Sequence, residues 1–328
     1  MPHMKAVVVV AAPEGATLQL IDTVRPVSGP NDVLVKVRSA GVNRTDLRRT
    51  QQHHALAPGE VDIAGLEMAG DVVEVGEQVR GVAVGERIFA MAKSSYAEYV
   101  AVDHRLVLPI PASMSYHEAA AIATVYPTAH DALVTNGRLA DGEAVLVQAA
   151  GSAVGMATIE VARVMGAGVV LGTVDRATVV PRLKELGLDA AFAAVPGELA
   201  ASVMQATGGR GADVIVDMVG KGVLAANMAA AALRGRIVSV GRLAGFVDEI
   251  DLDQLALKRL TVVGVTFRTR SVEEKQALLA RFRTDLYAHF DSGRVRPVID
   301  RVFPLGEALQ AQERMARNAH FGKILLEP

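Results

Sequence analysis

One stretch, Glu143 to Asp175, constrains the fold more than any other part of this 328-residue chain. It contains an apolar run at 144–147, a turn of small residues at 149–155, apolar residues at helical spacing, and a second apolar run at 169–174. This order predicts a strand, a helix and a second strand, which is one βαβ unit. Because the crossover of such a unit is right-handed, its helix begins beside the turn. Free backbone N–H groups and the helix dipole there favour a bound pyrophosphate.

The turn, AAGSAVG, departs from the G-x-G-x-x-G pattern of dinucleotide-binding turns. Ala150 and Ser152 stand at the positions of the first two glycines, and Gly155 stands at the third. Small residues still let the backbone approach a phosphate, Gly155 permits close packing of helix and strand, and the Ser152 hydroxyl can bond a pyrophosphate oxygen. A tight turn in an unrelated α/β domain is the alternative interpretation.

The composition agrees with an α/β protein. Hydrophobic residues make up 51% of the chain and aromatic residues only 4%, so the core is built mainly of Ala, Val, Leu and Ile, as in parallel sheets. The length is sufficient for two domains. A net charge of −2 without blocks of like charge indicates neither nucleic acid nor an anionic membrane surface as a partner.

The chain contains no cysteine. This excludes disulfides, thiolate zinc sites and thiol nucleophiles. The N-terminus lacks a signal-peptide pattern, and no apolar run reaches the roughly 18 residues that a membrane-spanning helix needs. We therefore expect a soluble cytoplasmic protein.

Residues 4–110 alternate short apolar runs with Pro, Gly, Asn and Asp, which predicts the strands and turns of a β-barrel-like domain. The polar segment 43–67 interrupts them with three arginines and two adjacent histidines. We interpret it as a less regular loop, because it is too polar for the core and too long for a tight turn. Loops of this length in compact domains are often functional.

Two S-x-x-E sequences, at Ser115–Glu118 and Ser271–Glu274, predict capped helices. The first helix is expected to kink or break at Pro127, which removes a helical hydrogen bond. Between 182 and 267, strands and helices alternate, including a helix over 225–233, so a doubly wound sheet is predicted. The last strand resembles the N-terminal strands, and we expect it to rejoin the first domain.

Six motifs carry a resemblance to a known family: AGVNRTDL at 40–47, GLEMAG at 65–70, VGERIFAM at 84–91, AAAIATVYPTA at 119–129, AAGSAVG at 149–155 and NAHFGKILLE at 318–327. Together they resemble the zinc-independent quinone oxidoreductases of the medium-chain dehydrogenase/reductase superfamily. Within that family the chain is most similar to the tumour-suppressor-inducible type, which also has a serine at the position of Ser152.

The resemblance implies a division into domains. A GroES-like, β-rich catalytic domain is expected at 1–115 and 270–328, and a Rossmann domain with a doubly wound parallel sheet at 116–269. The resemblance also implies a homodimer, in which the strand at 260–267 pairs with its twin and hides an exposed sheet edge.

Zinc is not expected. Zinc-dependent relatives place a cysteine at the position of Asn43 and a histidine at that of Leu66, and leucine cannot ligate a metal. Without a Lewis acid, hydride transfer from a nicotinamide requires an acceptor that is already electrophilic. A quinone or an α,β-unsaturated carbonyl compound meets this requirement.

Three side chains are candidates for catalysis. The resemblance places Asn43 at the nicotinamide end of the cleft and His54 where close relatives carry a tyrosine near the substrate; His54 is a possible proton donor near neutral pH. Tyr126 can point at the substrate from the broken helix. Each also has a structural interpretation: a turn residue, a solvated loop histidine and a wall residue between domains, respectively.

The residues that the resemblance places at the cofactor are Thr128, Ser152, Ala153, Val154, Gly155, Gly241, Arg242, Val265, Thr266, Phe267, Asn318 and Lys323. Two further residues at the end of the second strand decide between cofactors. Asp175 favours an unphosphorylated ribose, as in NADH, whereas Arg176 can pair with the 2′-phosphate of NADPH. We favour NADPH on family grounds and keep NADH as the alternative, because a carboxylate repels a 2′-phosphate.

Two other functions are compatible with the same residues. One is a zinc-free carbonyl or alcohol dehydrogenase. The other is a non-catalytic, NADPH-binding protein, since relatives of this fold serve as lens crystallins or bind RNA. The sequence shows no basic groove that would favour RNA.

Overall fold

The computed structural model describes residues 2–12, 15–51, 61–193 and 195–328. The chain forms two compact units. Unit 1 comprises Met1–Thr124, Lys275–Leu279 and Phe290–Pro328, and unit 2 comprises Val125–Glu274 and Ala280–His289. Each unit has its own sheet and its own apolar core.

The strands are, in chain order, β1 His3–Ala12, β2 Gly15–Val24, β3 Asp32–Gly41, β4 Met68–Val75, β5 Arg87–Ala90, β6 Tyr99–Asp103, β7 Val107–Pro109, β8 Ala144–Val147, β9 Val169–Val174, β10 Ala190–Ala193, β11 Ala212–Asp217, β12 Ala231–Ser239, β13 Thr261–Gly264, β14 Ile299–Pro304 and β15 Lys323–Glu327. The helices are α1 Arg44–Gln51, α2 Tyr116–Ile122, α3 Val125–His130, α4 Ala153–Val164, α5 Val180–Glu185, α6 Pro196–Ala206, α7 Leu224–Ala230, α8 Leu252–Lys258, α9 Val272–Asp291 and α10 Ala308–Ala316.

Unit 1 is built on a seven-stranded sheet and a separate hairpin of β1 and β2. The order along the sheet is β14-β15-β3-β4-β5-β7, and β6 pairs with the first half of β3. Alternate valines of β3, Val33, Val35 and Val37, point into the core. β15 runs antiparallel to β3 and places Leu325 opposite Gly41. The prediction that the last strand rejoins the first part of the chain is therefore confirmed.

Unit 2 contains six parallel strands in the order β10-β9-β8-β11-β12-β13. All four residues of β8 are buried, as expected for a strand that is covered on both faces. The chain order along the sheet reverses between β8 and β11. Sheets of this kind bind ligands at such a switch point, outside the carboxyl ends of the strands. The predicted doubly wound parallel sheet, and with it the α/β fold class, is confirmed.

Both predicted capping boxes are present. Ser115 caps α2 and exchanges hydrogen bonds with Glu118, and Ser271 and Glu274 do the same before α9. The predicted break also occurs, but it lies at residues 123–124, between α2 and α3. Pro127 belongs to the first turn of α3 and has no N–H to donate to the carbonyl four residues earlier, so the break precedes the proline.

Two segments differ from the prediction. Residues 44–51 form helix α1 rather than a less regular loop. The alanine-rich run 225–233 leaves the helix at Ala230, and Ala231 already pairs with Ala212 of β11. A buried sheet position outweighs the helix propensity of alanine here, since that propensity amounts to only tenths of a kcal/mol per residue.

Among the helices that the structure describes, none combines the length and the apolar character required to cross a bilayer.

Candidate functional site

Three polar side chains meet at one end of the sheet in unit 1. β3 ends at Gly41, with the start of β4 on one side and the start of β15 on the other. Asn43 follows β3, Glu67 precedes β4 and Lys323 begins β15. Neighbouring strand ends thus bring together residues that are far apart in the sequence.

Short hydrogen bonds join these side chains. The Lys323 ammonium donates to Asn43 Oδ1 at 2.7 Å and lies 2.5 Å from Glu67 Oε1. Asn43 Nδ2 donates to the same glutamate oxygen at 2.8 Å. The side chains of Lys323 and Glu67 are 3% and 0% exposed, whereas Asn43 is half-buried. A buried ion pair therefore holds an asparagine at the end of the sheet.

Gly41 makes room for this ion pair. A Cβ atom at position 41 would lie 2.1 Å from Glu67 Oε1. The carboxylate is held by Lys323 and Asn43, so it cannot move aside without losing these bonds. A glycine is therefore required at the end of β3.

A second buried carboxylate lies in the first turn of α1. Asp46 Oδ2 accepts hydrogen bonds from the Asn43 backbone N–H and from the Tyr96 hydroxyl, both at 2.8 Å. Burial raises the pKa of Asp46 to about 6, although these two bonds and the charge of Lys323 lower it. Burial and the neighbouring Asp46 also raise the pKa of Tyr96. Asp46 is therefore a group of this cluster that titrates close to neutral pH.

The same residues do not fit a catalytic zinc ion. Asn43 is an amide that is bonded at both ends, Leu66 has no ligand atom, and Glu67 is paired with Lys323. Within the described ranges no three His, Asp or Glu side chains are grouped as metal ligands. The positive charge in contact with Asn43 and Glu67 belongs to Lys323.

Arg44, the first residue of α1, is a cation that the sequence analysis missed. Its guanidinium donates to Asn318 Oδ1 at 2.5 Å, and burial lowers the pKa of Arg44. No carboxylate in the described part of the chain pairs with it. A half-buried guanidinium of this kind suits a bound phosphate. The sequence feature that could have identified Arg44 is its position directly after Asn43.

The turn predicted to bind pyrophosphate lies at the switch point of the sheet in unit 2. β8 ends at Val147, and Ser152 is the N-cap of α4. Ser152 Oγ accepts from the Gly155 N–H at 3.0 Å, which leaves the hydroxyl hydrogen for another acceptor. The N–H groups of Ala153 and Val154 lie in the first turn of α4, where the helix supplies no acceptor. The start of α4 therefore offers several donors to an anion.

Two glycines of this turn have opposite surroundings. A Cβ atom on Gly155 would lie 2.5 Å from the carbonyl oxygen of Ala149, so the start of α4 packs closely against the backbone of the preceding turn. A Cβ atom on Gly151 would meet only Val179, at 3.6 Å. The turn is packed tightly on the side of the sheet and open beside Gly151.

A buried chain of hydrogen bonds supports the turn. The Thr173 hydroxyl accepts from the Ala149 N–H at 3.0 Å and donates to Gln148 Oε1 at 2.7 Å. Gln148 Nε2 donates in turn to Asn227 Oδ1 at 2.5 Å. Ala149 itself has a φ of +52°, a conformation that non-glycine residues rarely adopt. The network therefore holds a strained turn in one geometry.

Gly241 and Arg242 follow β12, at the other side of the switch point. A Cβ atom on Gly241 would lie 2.4 Å from the carbonyl oxygen of Met218, so this loop closely approaches the end of β11. Asp217, the last residue of β11, accepts from the N–H groups of Val219 (2.7 Å) and Gly220 (3.1 Å). Burial raises the pKa of Asp217 despite these bonds.

Asp175 and Arg176 come directly after β9, where a ribose of a bound dinucleotide is expected. Their side chains are 70% and 41% exposed, and Asp175 Oδ1 lies 3.8 Å from Arg176 Nε. Both side chains are thus partly exposed on unit 2, and the contact between them is weak.

Tyr126 and Thr128 lie in α3 and are 2% and 8% exposed. The Tyr126 hydroxyl donates to the Glu160 carboxylate in α4, and burial raises the pKa of Tyr126 well above its ordinary value. In unit 2 this contact joins α3 to α4. The catalytic role of Tyr126 stays a prediction.

Val265, Thr266 and Phe267 follow β13. The Val265 N–H donates to the carbonyl oxygen of Ser239 at 2.9 Å, and the Phe267 ring lies 5.3 Å from the Arg270 guanidinium. These contacts place the segment in unit 2 without testing its predicted role at the nicotinamide. His54, the remaining candidate, lies outside the described residues.

Two family models match the chain. The model described as "Alcohol dehydrogenase GroES-like domain" matches residues 29–112, and the model described as "Zinc-binding dehydrogenase" matches residues 186–326. The first model lies within unit 1, and the second covers part of unit 2 and continues into the C-terminal part of unit 1.

Individual proteins match over almost the whole chain. Rat quinone oxidoreductase is 30% identical over 317 residues, which cover 96% of this chain and 94% of that protein. A mycobacterial protein solved in complex with NADPH has a TM-score of 0.86 at 26% identity and covers 99% of this chain and 100% of its own. An NAD-dependent alcohol dehydrogenase has a TM-score of 0.85 at 27% identity, with the same coverage of 99% and 100%.

The fold, the absence of zinc ligands at Asn43 and Leu66, and the similarity to rat quinone oxidoreductase agree. The chain is therefore an oxidoreductase that belongs to the quinone oxidoreductase family of the medium-chain dehydrogenase/reductase superfamily.

Proposed function

We propose that this chain reduces quinones or α,β-unsaturated carbonyl compounds with NADPH as the hydride donor. The observation that carries the proposal is the buried Lys323–Glu67 pair, which lies at the end of the unit 1 sheet where zinc-dependent relatives would need metal ligands. A lysine cannot act there as a Lewis acid toward an alcohol. An acceptor that is electrophilic without a metal suits such a site.

The turn before α4 supports a dinucleotide as the cofactor. The Ser152 hydroxyl and the N–H groups of Ala153 and Val154 can bind the pyrophosphate, while the Gly155 N–H holds Ser152 Oγ in place and the space beside Gly151 lets the pyrophosphate approach. Bound NADPH supplies the hydride.

NADPH is proposed over NADH for two reasons. The Arg176 side chain, 41% exposed after β9, can pair with a 2′-phosphate, and a mycobacterial protein with the same fold was solved with NADPH. NADH is the alternative because Asp175 lies beside Arg176 and repels a phosphate. The contacts of Thr128, Gly241, Arg242, Val265, Thr266, Phe267 and Asn318 with the cofactor, the roles of Asn43 and Lys323 at its nicotinamide end, and the catalytic roles of His54 and Tyr126 belong to this proposal.

Steady-state kinetics test the proposed reaction. The purified protein is assayed with 1,4-benzoquinone, with an enone and with a simple primary alcohol, using NADPH or NADH for reduction and NADP⁺ or NAD⁺ for oxidation. Reduction of the quinone or the enone without oxidation of the alcohol is expected. Oxidation of the alcohol alone would instead indicate a zinc-free alcohol dehydrogenase. If neither NADPH nor NADH binds in a fluorescence titration, the chain is not an enzyme of this kind.

We also propose a homodimer that forms through β13. This strand is an edge of the six-stranded sheet, and an unpaired edge favours pairing with a second strand. Large apolar side chains are exposed nearby in the sequence, with Phe246 at 72%, Val247 at 78% and Val262 at 41%. Val262→Lys is expected to convert a dimer into a monomer in light scattering, whereas a wild type that is already monomeric would contradict the proposal.

A further inference from the structure

The amide of Asn43 lies between a positive and a negative charge. Lys323 contacts its oxygen at 2.7 Å, and Glu67 contacts its nitrogen at 2.8 Å. The reverse orientation would place the NH₂ group against an ammonium and the carbonyl oxygen against a carboxylate. Both contacts would then be repulsive, so the charges themselves decide which end of the amide is oxygen.

The donors of this amide are already engaged. One Nδ2 hydrogen is given to Glu67, and the other points toward the carbonyl oxygen of Gly41 at 3.4 Å. The oxygen has two lone pairs, of which Lys323 occupies one. The half-buried Asn43 can therefore offer a lone pair to a ligand, but no well-placed N–H.

We propose that Glu67 and Lys323 are positioning residues that present Asn43 to the cofactor as a hydrogen-bond acceptor. The inference rests on the proposed function, since it takes NADPH as the ligand and a quinone as the substrate. A quinone carbonyl has only lone pairs, so it cannot bond to this oxygen. NADPH carries donors in its nicotinamide half, namely the ribose hydroxyls and the carboxamide N–H, and one of these is the partner of Asn43.

The sequence made Asn43 a candidate for catalysis, and a catalytic role would differ from the one proposed here. As a catalytic donor, Asn43 would bond the oxygen of the acceptor and stabilise the developing enolate. As an oriented acceptor, it binds the cofactor and leaves that stabilisation to other groups. The two roles differ in which ligand loses affinity when the side chain is removed.

Asn43→Ala separates the two roles. The dissociation constant of NADPH is measured by fluorescence titration, and the KM for 1,4-benzoquinone is measured at saturating NADPH. The acceptor role predicts about tenfold weaker NADPH binding, the effect of one lost hydrogen bond, with an unchanged quinone KM. An unchanged NADPH affinity together with a raised quinone KM would overturn the proposal. Asn43→Ser is the second variant if the alanine variant does not fold.

Two cofactor analogues identify the donor. In one, the hydroxyls of the nicotinamide ribose are replaced by hydrogen; in the other, the carboxamide is replaced by an acetyl group, which keeps the carbonyl and removes the N–H. The analogue that lacks the donor for Asn43 should bind the wild type about tenfold more weakly than NADPH does. It should bind Asn43→Ala as tightly as it binds the wild type. If Asn43→Ala weakens both analogues as much as it weakens NADPH, the acceptor role is wrong.

A double-mutant cycle tests the positioning residues. Lys323→Met should weaken NADPH binding, and Lys323→Arg, which keeps a charged donor, should restore most of it. If Lys323 acts through Asn43, the variant Lys323→Met/Asn43→Ala binds NADPH no more weakly than Asn43→Ala alone. Additive losses would show that the lysine contacts the cofactor by itself, and the positioning role would then be wrong.

Glu67→Gln keeps the shape of the carboxylate and removes its charge, so it should weaken NADPH binding by letting the amide turn over. The matched control is Glu143→Gln, which breaks the ion pair between Glu143 and Arg236 in unit 2, with contacts of 2.6–2.8 Å, and leaves Asn43 untouched. An equal loss in both variants would mean that any broken ion pair weakens binding, which would overturn the proposal. Failure of wild-type protein to bind NADPH would instead contradict the proposed function.

Discussion

The polar end of unit 1 and the nucleotide turn of unit 2 are built from different interactions. In unit 1, the buried charges of Glu67 and Lys323 and the neutral amide of Asn43 come from three separate segments and hold one another in place. In unit 2, the geometry comes from contiguous small residues, from backbone N–H groups and from a neutral hydrogen-bond chain under Ala149. The first arrangement fixes the direction of one side chain. The second leaves backbone donors open to an anion.

The difference predicts different sensitivities. Removing one partner from a buried ion pair leaves the other charge unpaired, which lowers the free energy of unfolding by several kcal/mol. Adding one carbon atom at a close backbone contact forces the backbone to move but leaves no buried charge unpaired, so it should lower the free energy of unfolding by less, about 1–3 kcal/mol. The following experiments compare the two regions, from the largest expected effect to the smallest.

Lys323→Met should destabilise unit 1 by about 3–5 kcal/mol, because it leaves Glu67 charged and buried. The free energy of unfolding is measured by urea denaturation. The double variant Lys323→Met/Glu67→Gln should recover much of the loss. Arg317→Ala, which breaks an exposed pair with Glu313, should cost less than about 1 kcal/mol and serves as the control. A similar cost for both single variants would show that the Lys323 pair is not effectively buried.

Asp46 should make unit 1 less stable as the pH rises. Its folded-state pKa of about 6 exceeds the ordinary value of 3.8, so the folded state binds more protons between these values. The contribution of Asp46 to stability is fully present below pH 3.8 and is lost as the pH rises through about 6. A pKa difference of two units corresponds to a change of about 3 kcal/mol in the free energy of unfolding. Asp46→Asn should flatten this dependence in denaturation experiments at pH 4 to 8. An unchanged pH profile in the variant would contradict the assignment.

His130 should give unit 2 the opposite pH dependence. It is fully buried, its Nε2 lies 2.8 Å from Asp285 Oδ2, and burial lowers its pKa despite that carboxylate. The unfolded chain therefore takes up a proton at a higher pH than the folded one, and stability falls as the pH drops below the ordinary value of 6.5. His130→Gln should remove this acid-side loss. A variant that loses stability at low pH as the wild type does would assign the effect to another group.

Gly155→Ala should destabilise unit 2 by about 1–3 kcal/mol and weaken NADPH binding, because its Cβ atom would lie 2.5 Å from the carbonyl oxygen of Ala149. Gly151→Ala is the matched control in the same turn. Its Cβ atom has an ordinary contact of 3.6 Å with Val179, so its thermal denaturation should match that of the wild type. Equal melting temperatures for both variants would show that the helix can move away from the turn.

Asp175→Ser should have the smallest effect, a severalfold rise in NADPH affinity relative to NADH. The side chain is 70% exposed, so water and salt screen its repulsion of a 2′-phosphate. Dissociation constants for both cofactors are compared in the wild type and the variant at low ionic strength. If the ratio stays constant, Asp175 does not lie near the ribose.

The two regions also differed in how far the sequence revealed them. The turn of unit 2 could be found because its residues are contiguous, and the roles of Gly155 and of the N-cap Ser152 follow from local geometry. The ion pair of unit 1 could not be found in the same way, since Glu67 and Lys323 are separated by most of the chain. Lys323 was selected only by resemblance, and Glu67 was not selected at all.

Local sequence patterns also predicted the structure less well where residues pair with distant parts of the chain. The pattern at Ala231 and Ala232 predicts a helix, but both residues lie in β12. This strand pairs with the buried strand β11, and Ala231 lies opposite Ala212. The sequence likewise did not indicate that the Tyr126 hydroxyl donates to Glu160 in unit 2. A side chain's partner depends on the neighbouring element, which a periodic pattern does not specify.

The sequence by itself determined the fold class, the βαβ unit at 143–175, the capped helices and the lack of cysteine ligands. These depend on periodicity, on short-range hydrogen bonds and on composition, all of which are local properties. Only the tertiary structure decided that Lys323 contacts Asn43 and Glu67. These contacts determine that the Asn43 amide can still accept a hydrogen bond but has no well-placed N–H to donate. That outcome depends on the pairing of β15 and β4 with β3, and the energy of a buried charge depends on neighbours that only the folded chain supplies.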